Sequence, residues 1–371
     1  MDFNFSDDQE QLRDAVRRWV DKGYTFERRR AIVAAGGFDR AAYGELADLG
    51  LAALTVPEAH DGMGQGAIDA MVAMEELGRG IVLEPLAQTF VATAVLGRHA
   101  GDTVQAQWLP RIASGEALVV LAQQERAARY NIGICAAKVS ETPNGYALTA
   151  TKSIVPAGDQ ADAYLVPAQL GGQMALFLVE RTASGVAARG YGLQDGSRAA
   201  EVAFTNAPAT LVTQDGLAAL ELAVDTGIAT ACAYAVGVMD QTVRLTADYL
   251  NQRKQFGVAI ASFQALRHRI ADMKMQLELA RSMSYYASLK LDAPAGERRQ
   301  ALARAKVQLG QSMRFVGQQA VQLHGGIGVT DEYIASHYFK MLTQLEMTWG
   351  DTLHHLGEVS ARMQETAGVF G

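Results

Sequence analysis

The sequence predicts an α+β chain, mostly α, built in three successive parts. These are an N-terminal helical domain over residues 1–116, a middle antiparallel β-barrel or sandwich over 117–213, and a C-terminal four-helix bundle over 214–371. Three observations carry that reading. Apolar residues recur at helical spacing through the first part; short alternating or β-branched runs follow, separated by turn signals; the helical period then returns and holds to the end.

In the first part, Ser6 followed by Gln9 forms a capping box, and Leu12, Val16, Trp19 and Val20 mark one apolar helix face. The basic run at Arg28–Arg30 reads as a solvated helix end. A helix stops at Gly50, a loop carries Pro57 and several glycines, and Met71, Met74 and Leu77 mark the next apolar face. TVQAQWLPRIASGEA then supplies a short helix and a glycine turn. From Ala117 the runs ALVVLAQQ, GYALTATKSIV, DAYLVPAQ, QMALFLVE and AAEVAFTN read as strands, punctuated by PNG, GG and DG. No crossover helix intervenes, which argues for antiparallel pairing.

In the third part, Ile270, Met273, Leu277 and Ala280 form one apolar stripe. Ala303, Lys306, Leu309, Met313, Val316, Ala320 and Leu323 form another, with only Lys306 polar. A break at Pro294–Gly296 separates two helices of this bundle. Met71, Met74, Met273 and Met275 read as core or pocket filler.

The chain has 371 residues, 49% of them hydrophobic, enough to bury a large core. Lys+Arg 33 against Asp+Glu 40 gives net −7, which argues against a nucleic-acid surface. Cys135 and Cys232 lie far apart and read as reduced, packed thiols. The acidic start MDFNFSDDQEQ fits no signal or transit peptide, and no run approaches the roughly 20 apolar residues of a membrane helix. The expectation is a soluble, cytoplasmic chain without a membrane span.

Two stretches exceed what packing requires. In YLNQRKQFGVAIASFQALRHRIADM, Arg253 and Lys254 end one helix, Phe256-Gly257 makes a sharp turn, and Gln264 opens the next helix. A guanidinium, an aromatic ring and a primary amide together suit a phosphate and a flat heterocycle. The plainer alternative is a helix–loop–helix whose terminal cation is favoured by the macrodipole. In AVQLHGGIGVTDEY, the double glycine is either a helix C-cap or a place of close backbone approach to a ligand.

In this order the two stretches resemble the acyl-CoA dehydrogenase family, with its RxxFG…FQ and QxxGG segments. GLAALTVPEAHDGMGQG…EELGRG resembles that family's N-terminal helical domain, and GYALTATKSIVPAGDQADAYLV its β-domain around G-K-x-W-I-T. The resemblance implies FAD, an acyl-CoA thioester oxidised to its 2,3-enoyl form, and electron-transfer flavoprotein as redox partner. It implies a homo- or hetero-tetramer, a dimer of dimers, in which Arg253, Phe256, Gln264, Gln322, Leu323, His324, Gly325 and Gly326 meet a neighbouring subunit's FAD.

The same resemblance exposes departures. The family's frequent E-G-T falls on Trp349-Gly350-Asp351, so the usual Glu base is Trp349, whose indole cannot accept a proton at neutral pH. The alternative base position before RxxFG is Gly227. Asp225 lies about 200° around a helix from it and matches an acidic position that contacts CoA, while its accompanying Arg is replaced by Ile228. T-E-P-G-x-G-S-D becomes QERAARYN, keeping Glu125 but placing Arg129-Tyr130 where Gly-Ser would approach the flavin phosphates. W-I-T becomes Ile154-Val155-Pro156, and Pro156 brings no N–H. Asp351 is the candidate substitute base; with His354 and His355 a metal site is possible only in an irregular turn, and none is expected.

The pattern resembles the small subunit of hetero-oligomeric acyl-CoA dehydrogenases acting on bulky or dicarboxylic acyl groups such as steroid side chains or pimeloyl-CoA. The alternatives are a non-catalytic subunit that completes a partner's FAD site, and a flavin-dependent oxygenase on the same fold.

Overall fold

The computed structural model describes residues 5–143 and 145–367, with side chains described as far as residue 363. The chain divides into two compact units, one from residues 1–27, 71–82 and 228–371, the other from 28–70 and 83–227.

The first unit is helical. Its opening helix α1 (Asp7–Gly23) carries the full capping box: Gln9 N–H donates to Ser6 Oγ, and the Gln9 side chain accepts from Ser6 N–H. Short helices α2 (Phe26–Ala34) and α3 (Arg40–Asp48) fall in the other unit save for the first two residues of α2, and α4 (Ala67–Arg79) falls mostly in this one. Helices α5 (Leu86–His99) and α6 (Asp102–Ala113) belong to the other unit, and the bundle begins with α7 (Gly216–Gln252). Bare glycines let α4 and α7 meet: a Cβ on Gly78 would stand 2.0 Å from Tyr234 O, and one on Gly237 would stand 1.8 Å from Glu75 O. Beside this contact Arg79 pairs with Asp240 at 2.6 Å and with Glu76 at 3.1 Å, and Arg17 pairs with Glu76 at 2.7 Å. Arg281 reaches across to Glu75.

Helices α8 (Gln264–Leu289) and α9 (Ala295–His324) follow, with Pro294 at the start of α9 as its fixed φ allows. Met273, Leu277 and Ala280 are buried, as is the whole α9 stripe, Lys306 included. Ile270 is only half-buried, and Met275 is 53% exposed, so it is surface and not filler. The last bundle member is broken into α10 (Ile334–Met347) and α11 (Thr352–Ala367), so that among the described residues five helices run from α7 onward where four were expected.

Helix α7 is long and apolar enough to cross a membrane, but its apolar stretch is buried in the protein. Alanine and threonine dilute its apolar residues, so no continuous run stands out in the sequence.

The second unit holds a seven-stranded sheet: β1 (Val119–Leu121), β2 (Lys138–Thr142), β3 (Gly145–Pro156), β4 (Ala163–Leu170), β5 (Gln173–Glu180), β6 (Val186–Gly192) and β7 (Arg198–Thr213). The pairings β4–β2, β2–β3, β3–β7, β7–β5 and β5–β4 close a ring, so no long edge is left inside it. Tyr164, Val166, Phe177, Val202 and Phe204 fill its interior. Pairing is antiparallel except where β4 meets β1 and β2. The β2–β3 hairpin lies between β1 and β4 in sequence, and its length supplies the reversal that a crossover helix supplies elsewhere.

The arginine run is also corrected. Arg29 is 1% exposed and donates to the Asp195 carbonyl, and Arg28 makes paired bonds to Glu45 at 2.8 and 2.9 Å. Both are structural. Strands β2 and β6 escaped the sequence reading because they are exposed along most of their length, so their faces do not alternate. Helix α5 escaped for the opposite reason, being buried on nearly every side.

Candidate active site and cofactor contacts

The end of α7 passes into a hairpin of β8 (Lys254–Gln255) and β9 (Val258–Ala259). Its two loop residues, Phe256 at φ 54° and Gly257 at φ 78°, both lie in the left-handed region that a tight hairpin of this kind demands. Gly257 adopts it freely, whereas a phenylalanine there costs about 1 kcal/mol. Phe256 is nevertheless 91% exposed, touching Phe263 edge-on at 6.2 Å. Arg253 and Gln264 are exposed beside it.

Helix α9 ends at Gly325, φ 63°, whose N–H returns to Val321 O. A Cβ at Gly325 or Gly326 would meet nothing, so their backbone faces open space. Gln322 is exposed, whereas Leu323 and His324 are buried beneath. His324 Nδ1–H donates to Ala320 O at 2.8 Å, and its Nε2 has no partner among the described residues. Burial lowers its pKa, so the ring is neutral. It stands 4.6 Å from the Tyr249 ring of α7 and 5.4 Å from Tyr333, which ties the end of α9 to the helix that leads into the hairpin.

The turn between α10 and α11 holds Trp349 at φ 62° and Gly350 at φ 107°. It is fixed from several sides. Lys306, fully buried, donates to the terminal α10 carbonyls of Leu345 at 2.9 Å and Glu346 at 2.8 Å. Burial pushes the Lys306 ammonium down to about 8. Glu346 Oε1 accepts from Thr352 N–H at 3.0 Å and Thr352 Oγ1 at 2.7 Å. His355 Nε2–H donates to Trp349 O at 2.9 Å, and burial pushes this imidazole down to about 3. Asp351 Oδ1 accepts from His354 N–H at 2.8 Å, the position of an N-cap to α11. His354 and His355 lie with ring centroids 5.0 Å apart, and among the described residues no group of three or more His, Cys, Asp or Glu is placed for a metal ion.

In the barrel unit, Glu125 and Lys152 form a buried pair at 2.7 Å. Glu125 also accepts from Ala136 N–H at 2.7 Å and Ala137 N–H at 3.1 Å, and Lys152 donates to Pro167 O at 3.0 Å. Burial raises the Glu125 carboxyl, but the Lys152 ammonium and the two amides outweigh it and hold its pKa below the ordinary value. The pair roots the β1–β2 loop on the barrel. At a bulge in β3, Ile154 is 43% exposed at φ 51°, an outlying conformation for a β-branched residue. On α7, Asp225 is fully buried and Gly227 is buried as well.

The acyl-CoA dehydrogenase N-terminal domain matches residues 6–116 and the acyl-CoA dehydrogenase C-terminal domain residues 214–363. The chain belongs to the acyl-CoA dehydrogenase family. It is similar to acyl-CoA dehydrogenase FadE27 of Mycobacterium tuberculosis, 26% identical over 99% of this chain and 100% of that protein. It is 29% identical to IpdE2 of the same organism over 90% of each chain. The Tcur3481-Tcur3483 steroid ACAD superimposes with TM-score 0.90 at 27% identity, covering 97% of this chain and 99% of that one. The ChsE4-ChsE5 complex from Mycobacterium tuberculosis gives TM-score 0.88 at 26% identity, covering 98% and 99%.

This acyl-CoA dehydrogenase family member is an oxidoreductase with FAD as cofactor. The helical unit fits the group: Arg253, Phe256, Gln264 and Gln322 are exposed, and Gly325–Gly326 leave a cradle open that any side chain would fill. Leu323 and His324, next to this cradle, are buried. The barrel unit fits it less well, because Pro156 has no N–H to offer and Arg129-Tyr130 stand where small residues are usual.

Sequence reasoning missed the groups that hold these places. Lys306 was visible as the one polar member of an apolar stripe, yet nothing local showed that α10 carbonyls receive it. Lys152 and Glu125 are far apart in sequence, and only the β3 register brings them together.

Proposed function

We propose that this chain is the small subunit of a hetero-oligomeric acyl-CoA dehydrogenase acting on a bulky acyl-CoA. Its Arg253, Phe256, Gln264, Gln322, Gly325 and Gly326 complete the FAD site of a partner chain that supplies the base. The carrying observation is Trp349: an indole stands at the usual base position, on a turn held by Lys306, Glu346 and His355. FAD, when bound, accepts the hydride from the acyl β-carbon. The α-proton needs a carboxylate, and in this chain Gly227 and Trp349 provide none. The exposed guanidinium and amide bind and orient, and the exposed Phe256 ring excludes water from the cofactor it covers. Likeness to the Tcur3481-Tcur3483 steroid ACAD and the ChsE4-ChsE5 complex, both of two named components, supports the hetero-oligomer, and the steroid ACAD supports the bulky acyl group. A dimer of dimers in the cytoplasm, reoxidised by electron-transfer flavoprotein, completes the reading.

The test is the FAD content of the chain purified alone and together with a co-expressed partner, followed by anaerobic addition of acyl-CoA. Sub-stoichiometric FAD without bleaching alone, and bleaching in the complex, is expected. Full occupancy with bleaching by the chain alone would sink the proposal.

A further inference from the structure

A single imidazole touches both ends of the helical unit where cofactor contacts are proposed. His324 closes α9 immediately before Gly325 and is 3% exposed. Its ring meets Tyr249 of α7 at 4.6 Å and 32°, and Tyr333, which stands just before α10, at 5.4 Å and 53°. Tyr249 leads directly into the hairpin: its carbonyl accepts from Arg253 N–H at 2.8 Å, and Arg253 O accepts from Ile260 N–H at 2.8 Å. The turn Gly325–Val329 folds back onto the same histidine. A Cβ at Gly328 would stand 2.9 Å from His324 Cβ and 2.9 Å from Val321 O, so only a bare Cα fits there.

The hydrogen bonding of the ring adds a second constraint. Nδ1–H donates to Ala320 O at 2.8 Å, which fixes the tautomer and leaves Nε2 as an acceptor. That atom is buried and has no partner among the described residues. Charging the ring would put a second N–H there, at the cost of a buried donor left unmade. No charged side chain offsets this. Burial lowers the His324 pKa and the Ala320 carbonyl alone opposes it. The titratable groups that face the ring are phenols, Tyr249 from α7 and Tyr333 from the start of α10; burial raises the Tyr333 phenol, and Tyr249 and Asp248 add to it.

We propose that His324 is a positioning residue. Its neutral ring, packed on Tyr249 and Tyr333, holds the hairpin and the Gly325–Gly326 turn in one arrangement, and protonation loosens both together. The coupling belongs to this chain by itself and rests on the proposed function only for what the two segments face.

Hydrogen exchange of the purified full chain, without cofactor or partner, reads both segments by mass spectrometry. His324→Ala should speed exchange about tenfold, the size of one to two lost ring contacts, in residues 253–263 and 325–333 alike, with strands β4 and β5 unchanged. His324→Phe keeps a ring that cannot be charged and should restore protection of both. After correction for intrinsic rates, protection of both wild-type segments should fall together as pH drops below about 6.5, the ordinary histidine value. His324→Phe should remove that step. If His324→Ala does not fold, the pH comparison of wild type with His324→Phe decides by the same criterion. Loosening of 325–333 without 253–263, or the same pH step in His324→Phe, overturns the inference. A complex that holds no FAD at the hairpin would remove the proposed function and leave this result standing.

Discussion

The hairpin region and the Glu125–Lys152 region both keep residues of the family pattern, but for different reasons. Around the hairpin, the side chains of Arg253, Phe256, Gln264 and Gln322 are exposed. In the barrel, Glu125 and Lys152 are buried on each other, and nearby in sequence Arg129-Tyr130 and Pro156 depart from the family pattern. Retention of a motif residue thus leaves it on the surface in one region, where a cofactor contact is proposed, and builds it into the fold in the other. Burial, which a motif does not show, tells the two apart.

The sharpest way to break this comparison is Lys152→Ala. It leaves Glu125 buried without its cation and should cost about 3–5 kcal/mol in urea unfolding. A loss below 1 kcal/mol would make the pair functional and not structural. The same carboxylate sets an acid limit. Because its pKa is depressed in the fold, its contribution is present above the unfolded value of about 4.3 and is lost as pH falls through the folded one.

Lys306 tests the helical unit at the other end of the pH scale. With its pKa lowered from 10.5 to about 8, the folded state binds fewer protons than the unfolded chain between those values. Stability should therefore rise with pH across that window, by about 3 kcal/mol relative to Lys306→Met. Parallel curves for wild type and variant would show that the ammonium is not suppressed.

At the hairpin the expected effect is on cofactor and not on folding. Arg253→Ala should lower FAD retention by the complex about tenfold, equivalent to about 1.4 kcal/mol, with unfolding unchanged. Phe256→Gly should also lose FAD while gaining about 1 kcal/mol of stability from the relieved backbone. If either variant unfolds early and keeps its flavin, the contrast between the regions fails.

The smallest effect is expected at Asp351. As an N-cap it should tolerate Asn, and Asp351→Ala should cost about 1 kcal/mol. If instead Asp351→Asn abolishes bleaching in the complex, Asp351 is the base and the turn at Trp349 serves this chain's own chemistry.

Periodicity alone determined the order of helical, β and helical parts, because each part buries one face and repeats it. The RKQFG and QLHGG segments, through their resemblance to the family, were enough to single out the positions proposed to meet the cofactor. Tertiary structure decided the rest. Trp349 is held by Lys306 and His355, which approach from a different helix and from the next one; Glu125 became a root because β3 delivers Lys152 to it; Arg29 became core because Asp195 offers it a carbonyl. A buried charge is decided by whichever distant atom satisfies it, and that partner is set by packing and not by neighbouring sequence.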